Sequence, residues 1–159
     1  MIAVLAAVFF GVADCYARNV PIVEGKVSIF LPNSWKNAYE GGVVTTESPD
    51  GGVAIVFSII ENNQLDAAVQ QAEASIVETL GPIRHNGDIV EFTVNGMPAT
   101  MQKGTSIDGQ TAFSLTMVLT PTQKWLMISV RLVIFYTSDR IDYDKRVKIV
   151  KSVKWVCVS

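Results

Sequence analysis

Two apolar runs rule out a sheet with one face in water. Val53-Ala54-Ile55-Val56-Phe57-Ser58-Ile59-Ile60 contains one polar residue, and residues 125–135 are eleven residues with a single charge, Arg131. A half-solvated strand alternates apolar with polar side chains, so a near-continuous apolar run calls for cover on both faces. The chain must therefore build a sheet with these two strands inside it and lay something across each side.

Other strands announce themselves by alternation and by their turns. Residues 26–31 (Lys-Val-Ser-Ile-Phe-Leu) alternate and stop at Pro32-Asn33-Ser34-Trp35, while residues 43–48 are rich in β-branched side chains. Pro49-Asp50-Gly51-Gly52 turns the chain into the first apolar run. Asn95-Gly96 joins strands at 88–94 and 97–106. This dipeptide is the strongest short hairpin signal, because both residues accept the positive φ of a type I′ turn. Pro98 puts the start of the return strand at an edge or a bulge. Asp108-Gly109 turns into residues 112–120, where Phe113, Leu115, Met117 and Leu119 share one face, and Pro121-Thr122-Gln123-Lys124 leads into the second run.

Between these strands the period changes. Leu65, Val69, Ala72, Ile76 and Leu80 step by four, three, four and four, which lines one face of a helix. Asn63 suits its N-cap and Gly81-Pro82 its stop. A second helix is expected over residues 140–153. Asp139, Asp142 and Asp144 lie early and Lys148 and Lys151 late, as the helix dipole favours, with Tyr143, Val147 and Val150 on one face. The order β-β-β-α-β-β-β-β-α with dominant hairpins reads as α+β. The expected architecture is an antiparallel sheet of about six to seven strands with helices on both faces, an α/β/α sandwich.

Residues 1–17 stand apart. An unbroken apolar stretch from Ile2 to Val12 ends in Ala13-Asp14-Cys15-Tyr16-Ala17, the pattern of a secretory signal peptide. It is too short for roughly 30 Å of hydrocarbon, which takes about 20 apolar residues. Small residues at −3 and −1 allow cleavage after Ala17, leaving Cys157 as the mature thiol, or after Ala13, leaving Cys15 able to bridge Cys157. The resulting division is a signal at 1–17, a short arm at 18–25 and one domain at 26–159. The expected location is periplasmic or secreted.

Charge excludes one class of partner. With 13 Lys and Arg against 15 Asp and Glu there is no basic excess, hence no electrostatic case for nucleic acid.

The segments Val27-Ser28-Ile29-Phe30-Leu31-Pro32-x-x-Trp35, Ser48-Pro49-Asp50-Gly51, Val94-Asn95-Gly96-Met97-Pro98-Ala99, the Asp108-Gly109 hairpin and Ser152-Val153-Lys154 occur in order around the long helix. In these the chain resembles the PsbP-like superfamily, which includes the photosystem II extrinsic protein, a Ran-binding nuclear import factor and many small bacterial exported proteins. Among these it looks nearest to the DcrB-like proteins. The resemblance spans about residues 26–154 and implies a sheet between helical layers in a family used mainly to bind other proteins. The matching positions are turn and packing residues, so no catalytic residue carries over.

The chemistry-bearing residues give little of their own. His85 is the only histidine and lies in Ile83-Arg84-His85-Asn86-Gly87, which reads as an exposed connection. Gly104-Thr105-Ser106-Ile107-Asp108 imitates a nucleophile elbow but lacks the closing glycine and the following helix. The Cys and His residues are too few for a structural zinc site, the acidic cluster at 139–144 lacks the EF-hand glycine and glutamate, and no phosphate-binding glycine loop occurs. No catalytic, metal or cofactor site is expected. Arg131 must reach water, a carboxylate or a ligand, because an unpaired buried charge is costly. Trp35 and Trp125 read as core edges first and binding anchors second. These three are the candidate partner or ligand contacts. The basic residues Lys145, Arg146, Lys148, Lys151 and Lys154 suit a solvated face or a peripheral membrane contact. The expected function is a non-catalytic accessory protein of the bacterial envelope that docks on an envelope protein. The alternative is a carrier of a small apolar ligand or lipid between sheet and helix.

Overall fold

The computed structural model describes residues 17–133 and 156–158. In chain order the elements are β1 (Ala17–Ile22), a 3₁₀ turn (Val23–Gly25), β2 (Val27–Pro32), β3 (Lys36–Glu40), β4 (Val43–Glu47) and β5 (Val53–Ile60). Helix α1 (Leu65–Leu80) follows, then β6 (Ile83–His85), β7 (Val90–Val94), β8 (Met97–Ser106), β9 (Thr111–Leu119), β10 (Trp125–Val133) and β11 (Val156–Val158). The antiparallel main sheet runs β3-β4-β5-β10-β9-β8-β6, with β7 also paired to β8, and a smaller antiparallel sheet runs β1-β2-β11. The two apolar runs are neighbours at the centre, Trp125 facing Ile60 and Leu132 facing Val53.

Alternation along these strands divides the core in two. Val53, Ile55 and Phe57 of β5 and Leu126, Ile128 and Leu132 of β10 point one way and pack with Val27, Ile29 and Leu31 of β2. Ile60, Met127, Trp125 and the β9 residues Phe113, Leu115 and Met117 point the other way and meet Ala68, Ala72 and Ile76 of α1.

The covering layers differ from expectation. The main sheet has eight strands among the described residues, not six to seven. The layer opposite α1 includes the small β1-β2-β11 sheet, where a second helix was expected. That helix, residues 140–153, falls outside the described residues. So do the signal segment up to Tyr16, the acidic cluster at 139–144 and the C-terminal basic residues. The arm at 18–25 is largely β1, which pairs along β2 from Ala17 with Pro32 to Ile22 with Val27. Ile22 is buried there, and Pro21, which has no N–H to donate, is tolerated because β1 is an edge strand. Cys157 sits in β11 opposite Ser28.

Two loops at one end of the sheet are the same device. In Ser48-Pro49-Asp50-Gly51-Gly52 the Ser48 hydroxyl donates to Asp50 Oδ1 (2.6 Å), which also accepts the Gly52 N–H (2.9 Å). The Ser48 hydroxyl in turn accepts the Val53 N–H (3.0 Å). Ser106-Ile107-Asp108-Gly109-Gln110 repeats this pattern, Ser106 donating to Asp108, Asp108 accepting from Gln110, and Ser106 accepting from Thr111. Gly51 and Gly109 take the same positive φ, 70° and 71°. These two hydrogen bonds, from Ser106 first and Gln110 second, hold the Asp108 carboxyl below the usual carboxylate range. The Ser106 hydroxyl thus closes a turn.

Asn95 and Gly96 have φ of 47° and 81°, and the strands they join pair from Val94–Met97 to Val90–Met101. A Cβ at Gly96 would meet nothing within 4 Å, so a side chain there is opposed by backbone strain alone. Gly96→Val is expected to cost about 1–3 kcal/mol, read as a lower denaturant midpoint with unchanged slope.

Candidate functional site

One transverse row on the α1 side of the main sheet gathers the polar chemistry. Reading across paired residues, it runs His85 (β6), Gly104 (β8), Phe113 (β9), Arg131 (β10), Ala54 (β5) and Glu47 (β4). Directly paired residues point to the same face, so all six positions look toward the helix layer. The helix does not cover them equally. It leaves the β5–β10 end of the sheet beside Trp125, whose Nε1 donates to the Asn63 carbonyl (3.1 Å), and finishes toward β6, where the Pro82 carbonyl accepts the Ile107 N–H (3.0 Å). Crossing obliquely, it leaves a flank over Arg131 that no other described residue covers.

Each end of the row follows from its neighbours. Gly104 has no side chain, and the Phe113 ring lies over it. There the ring meets His85 edge-on, centroids 6.1 Å apart at 76°. His85 Nε2 stands 3.2 Å from Glu73 Oε1 on α1, so the histidine ties an edge strand to the helix and does not lie in an irregular loop. Because Phe113 leans this way, it is not stacked on Arg131.

Arg131 lines a recess of about 40 Å³ between sheet and helix, with Ser129 beside it on β10 and Ser75 and Thr79 on α1. Val56, Ile76 and Met127 form its apolar wall. The guanidinium makes no ion pair or hydrogen bond among the described residues. The nearest carboxylate in register, Glu47, is two strands away across Ala54, roughly 10 Å at the usual strand spacing. Its Oε1 lies over the first turn loop, 3.2 Å from where a Gly51 Cβ would sit.

The two tryptophans lie elsewhere. Trp35 is 7% exposed, in the core beneath β2, and Trp125 is 8% exposed, in the core beneath α1. Neither offers a ring face to a partner. Sequence reasoning missed a different surface, the edge strand β7. Val90 and Phe92 are 52% and 37% exposed, Ile89 just before the strand is 54% exposed, and β7 pairs with β8 alone among the described residues. Its signal was the Val-x-Phe-x-Val alternation itself, which looks the same whether the apolar face is covered or bare. No group of acidic, cysteine or histidine side chains among the described residues could hold a metal ion. No described helix is long and apolar enough to cross a membrane.

No family model matches the chain, and no curated protein matches it by sequence. Solved structures do match in shape. Cyanobacterial PsbP (CyanoP) from Synechocystis sp. PCC 6803 aligns with a TM-score of 0.61 at 12% identity, covering 94% of this chain and 96% of that one. LpqN of Mycobacterium tuberculosis, described as involved in cell envelope biogenesis, aligns with a TM-score of 0.51 at 14% identity, covering 87% and 88%. The overall shape and near-complete coverage of both chains agree with the resemblance carried by the turn residues, and the chain has the PsbP-like fold.

Proposed function

We propose that this chain is an exported, non-catalytic accessory protein of the cell envelope that docks on an envelope protein through its β7 edge. The observation that carries this is the bare apolar side of β7. Val94 reaches the core, but Val90 and Phe92, on the same face by their pairing with Met101 and Ala99, lie beyond it. Natural edge strands are usually blunted by charge, bulges or cover, and β7 carries one charge, Glu91. An edge with free backbone groups and apolar side chains suits strand addition by a partner segment. The description of LpqN supports an envelope setting, and residues 1–17 support export with removal of that segment. Within the fold, we read the turn residues as most like those of the DcrB-like exported proteins.

The carrier reading has less behind it. Among the described residues the recess beside Arg131 holds about 40 Å³, whereas sites for drug-sized ligands run from about 300 to 1,000 Å³.

Affinity capture from envelope extracts tests the docking reading, with the processed chain and its Phe92→Asp variant as bait. Phe92 is partly exposed, so the variant is expected to keep its stability within about 0.5 kcal/mol while losing at least about tenfold of the captured partner. Equal capture by both baits would overturn the β7 assignment.

A further inference from the structure

Arg131 is a permanently charged planar fork of five N–H donors. The side chain is half-buried, so water reaches it, and no described residue pairs with it. Ser129, two residues back on the same face, is 4% exposed, and its hydroxyl also has no hydrogen-bond partner among the described residues. Unlike Thr46 Oγ1, which is fully enclosed without a partner, this hydroxyl keeps some access to solvent through the recess. Both side chains line the same recess, and the Ser75 hydroxyl on α1 adds a third unused donor. The Thr79 hydroxyl donates to the Ser75 carbonyl (3.0 Å), so at the rim it can only accept.

We infer that this recess is a binding site for one oxyanion group, a carboxylate or a phosphate, gripped by the Arg131 guanidinium and hydrogen-bonded by Ser129 and Ser75. The chemistry matches, since a guanidinium takes either group through two parallel N–H bonds. The size matches as well. A water needs roughly 10–15 Å³ of such space, so about 40 Å³ admits a few waters or one compact anion and excludes a hydrocarbon tail. Among the described residues, the sheet explains why the recess is open. Phe113 is drawn toward Gly104 on one side of Arg131, and Ala54 is too short to fill the other. The wall of Val56, Ile76 and Met127 lowers the local polarity and so strengthens each charge-assisted bond. Glu47 is the one acidic side chain in the row, held over its own turn loop and out of ion-pair reach.

Amide-resolved NMR titration of the purified protein tests this, with sodium phosphate and sodium acetate as probes against sodium chloride at matched ionic strength. Saturable shifts are expected at Ser75, Ser129 and Arg131 with one of the two anions and not with chloride. The stronger anion identifies a phosphate-bearing or a carboxylate-bearing ligand. Arg131→Met should abolish the saturable shifts, Arg131→Lys should weaken binding by about tenfold by losing the fork, and Ser129→Ala by severalfold. If Arg131→Met does not fold, the lysine and alanine variants decide the matter. Shifts that never saturate, that appear equally with chloride, or that persist undiminished in the Arg131 and Ser129 variants would overturn the site. Phe92→Asp should leave the titration unchanged, so failure here and failure of the β7 docking surface are separable.

Discussion

Phe57→Ala is expected to remove about 3–5 kcal/mol of unfolding free energy, the usual range for emptying a buried aromatic site. Phe57 is fully buried at the middle of β5, in register between Val44 of β4 and Ile128 of β10. Its face of the sheet is the one covered by β2, through Val27, Ile29 and Leu31. The ring therefore fills the join between the two sheets. Against a typical total of about 5–15 kcal/mol, such a loss leaves the domain marginal. Urea unfolding of Phe57→Ala and Phe57→Leu checks it, with the leucine variant expected to retain most of the stability. A loss below about 1.5 kcal/mol for alanine would mean that the small sheet does not seal this face.

Gly104→Val is expected to destabilise by about 1–3 kcal/mol or more, and to do so unevenly. A Cβ at this position would overlap the Phe113 ring and approach the Arg84 carbonyl oxygen to 2.5 Å. The ring can rotate away only by leaving its packing against His85 and α1. The carbonyl can yield only by loosening the three-residue pairing of β6 with β8. Hydrogen exchange should show Ile83–His85 losing protection before the central strands do. Gly104→Ala combined with Phe113→Leu should recover the part of the loss due to the ring and not the part due to Arg84. Uniform loss of protection across the sheet would show that the glycine is not a local accommodation.

Gly104 also shows how far a motif can be trusted. In sequence it opens an imitation of a nucleophile elbow, whereas in the fold it is the gap over which Phe113 lies, and Ser106 closes a turn with Asp108. The two Ser-x-Asp-Gly loops were visible in the sequence as separate turns. Their identity as one hydrogen-bonded device needed the distances.

What the sequence settles here is local. Asn95-Gly96 sets its turn because few other dipeptides accept two successive positive φ values. Spacing of three and four makes residues 65–80 a helix because only that period puts Leu65, Val69, Ala72, Ile76 and Leu80 on one face. The unbroken apolar runs are central strands because both their faces must leave water. The tertiary structure decides whatever depends on a distant segment. β3 is exposed along its whole length and β6 has three residues, so neither has an apolar pattern, and each exists only by pairing with a neighbour already in place. Apolar periodicity demands a cover over each face but is indifferent to its kind, so it could not foretell that the small β1-β2-β11 sheet takes part in covering the face opposite α1. The same limit applies to Arg131. A lone charge in an apolar strand calls for some answer, and among the described residues the path of α1 and the lean of Phe113 toward Gly104 leave Arg131 half-buried at an open recess.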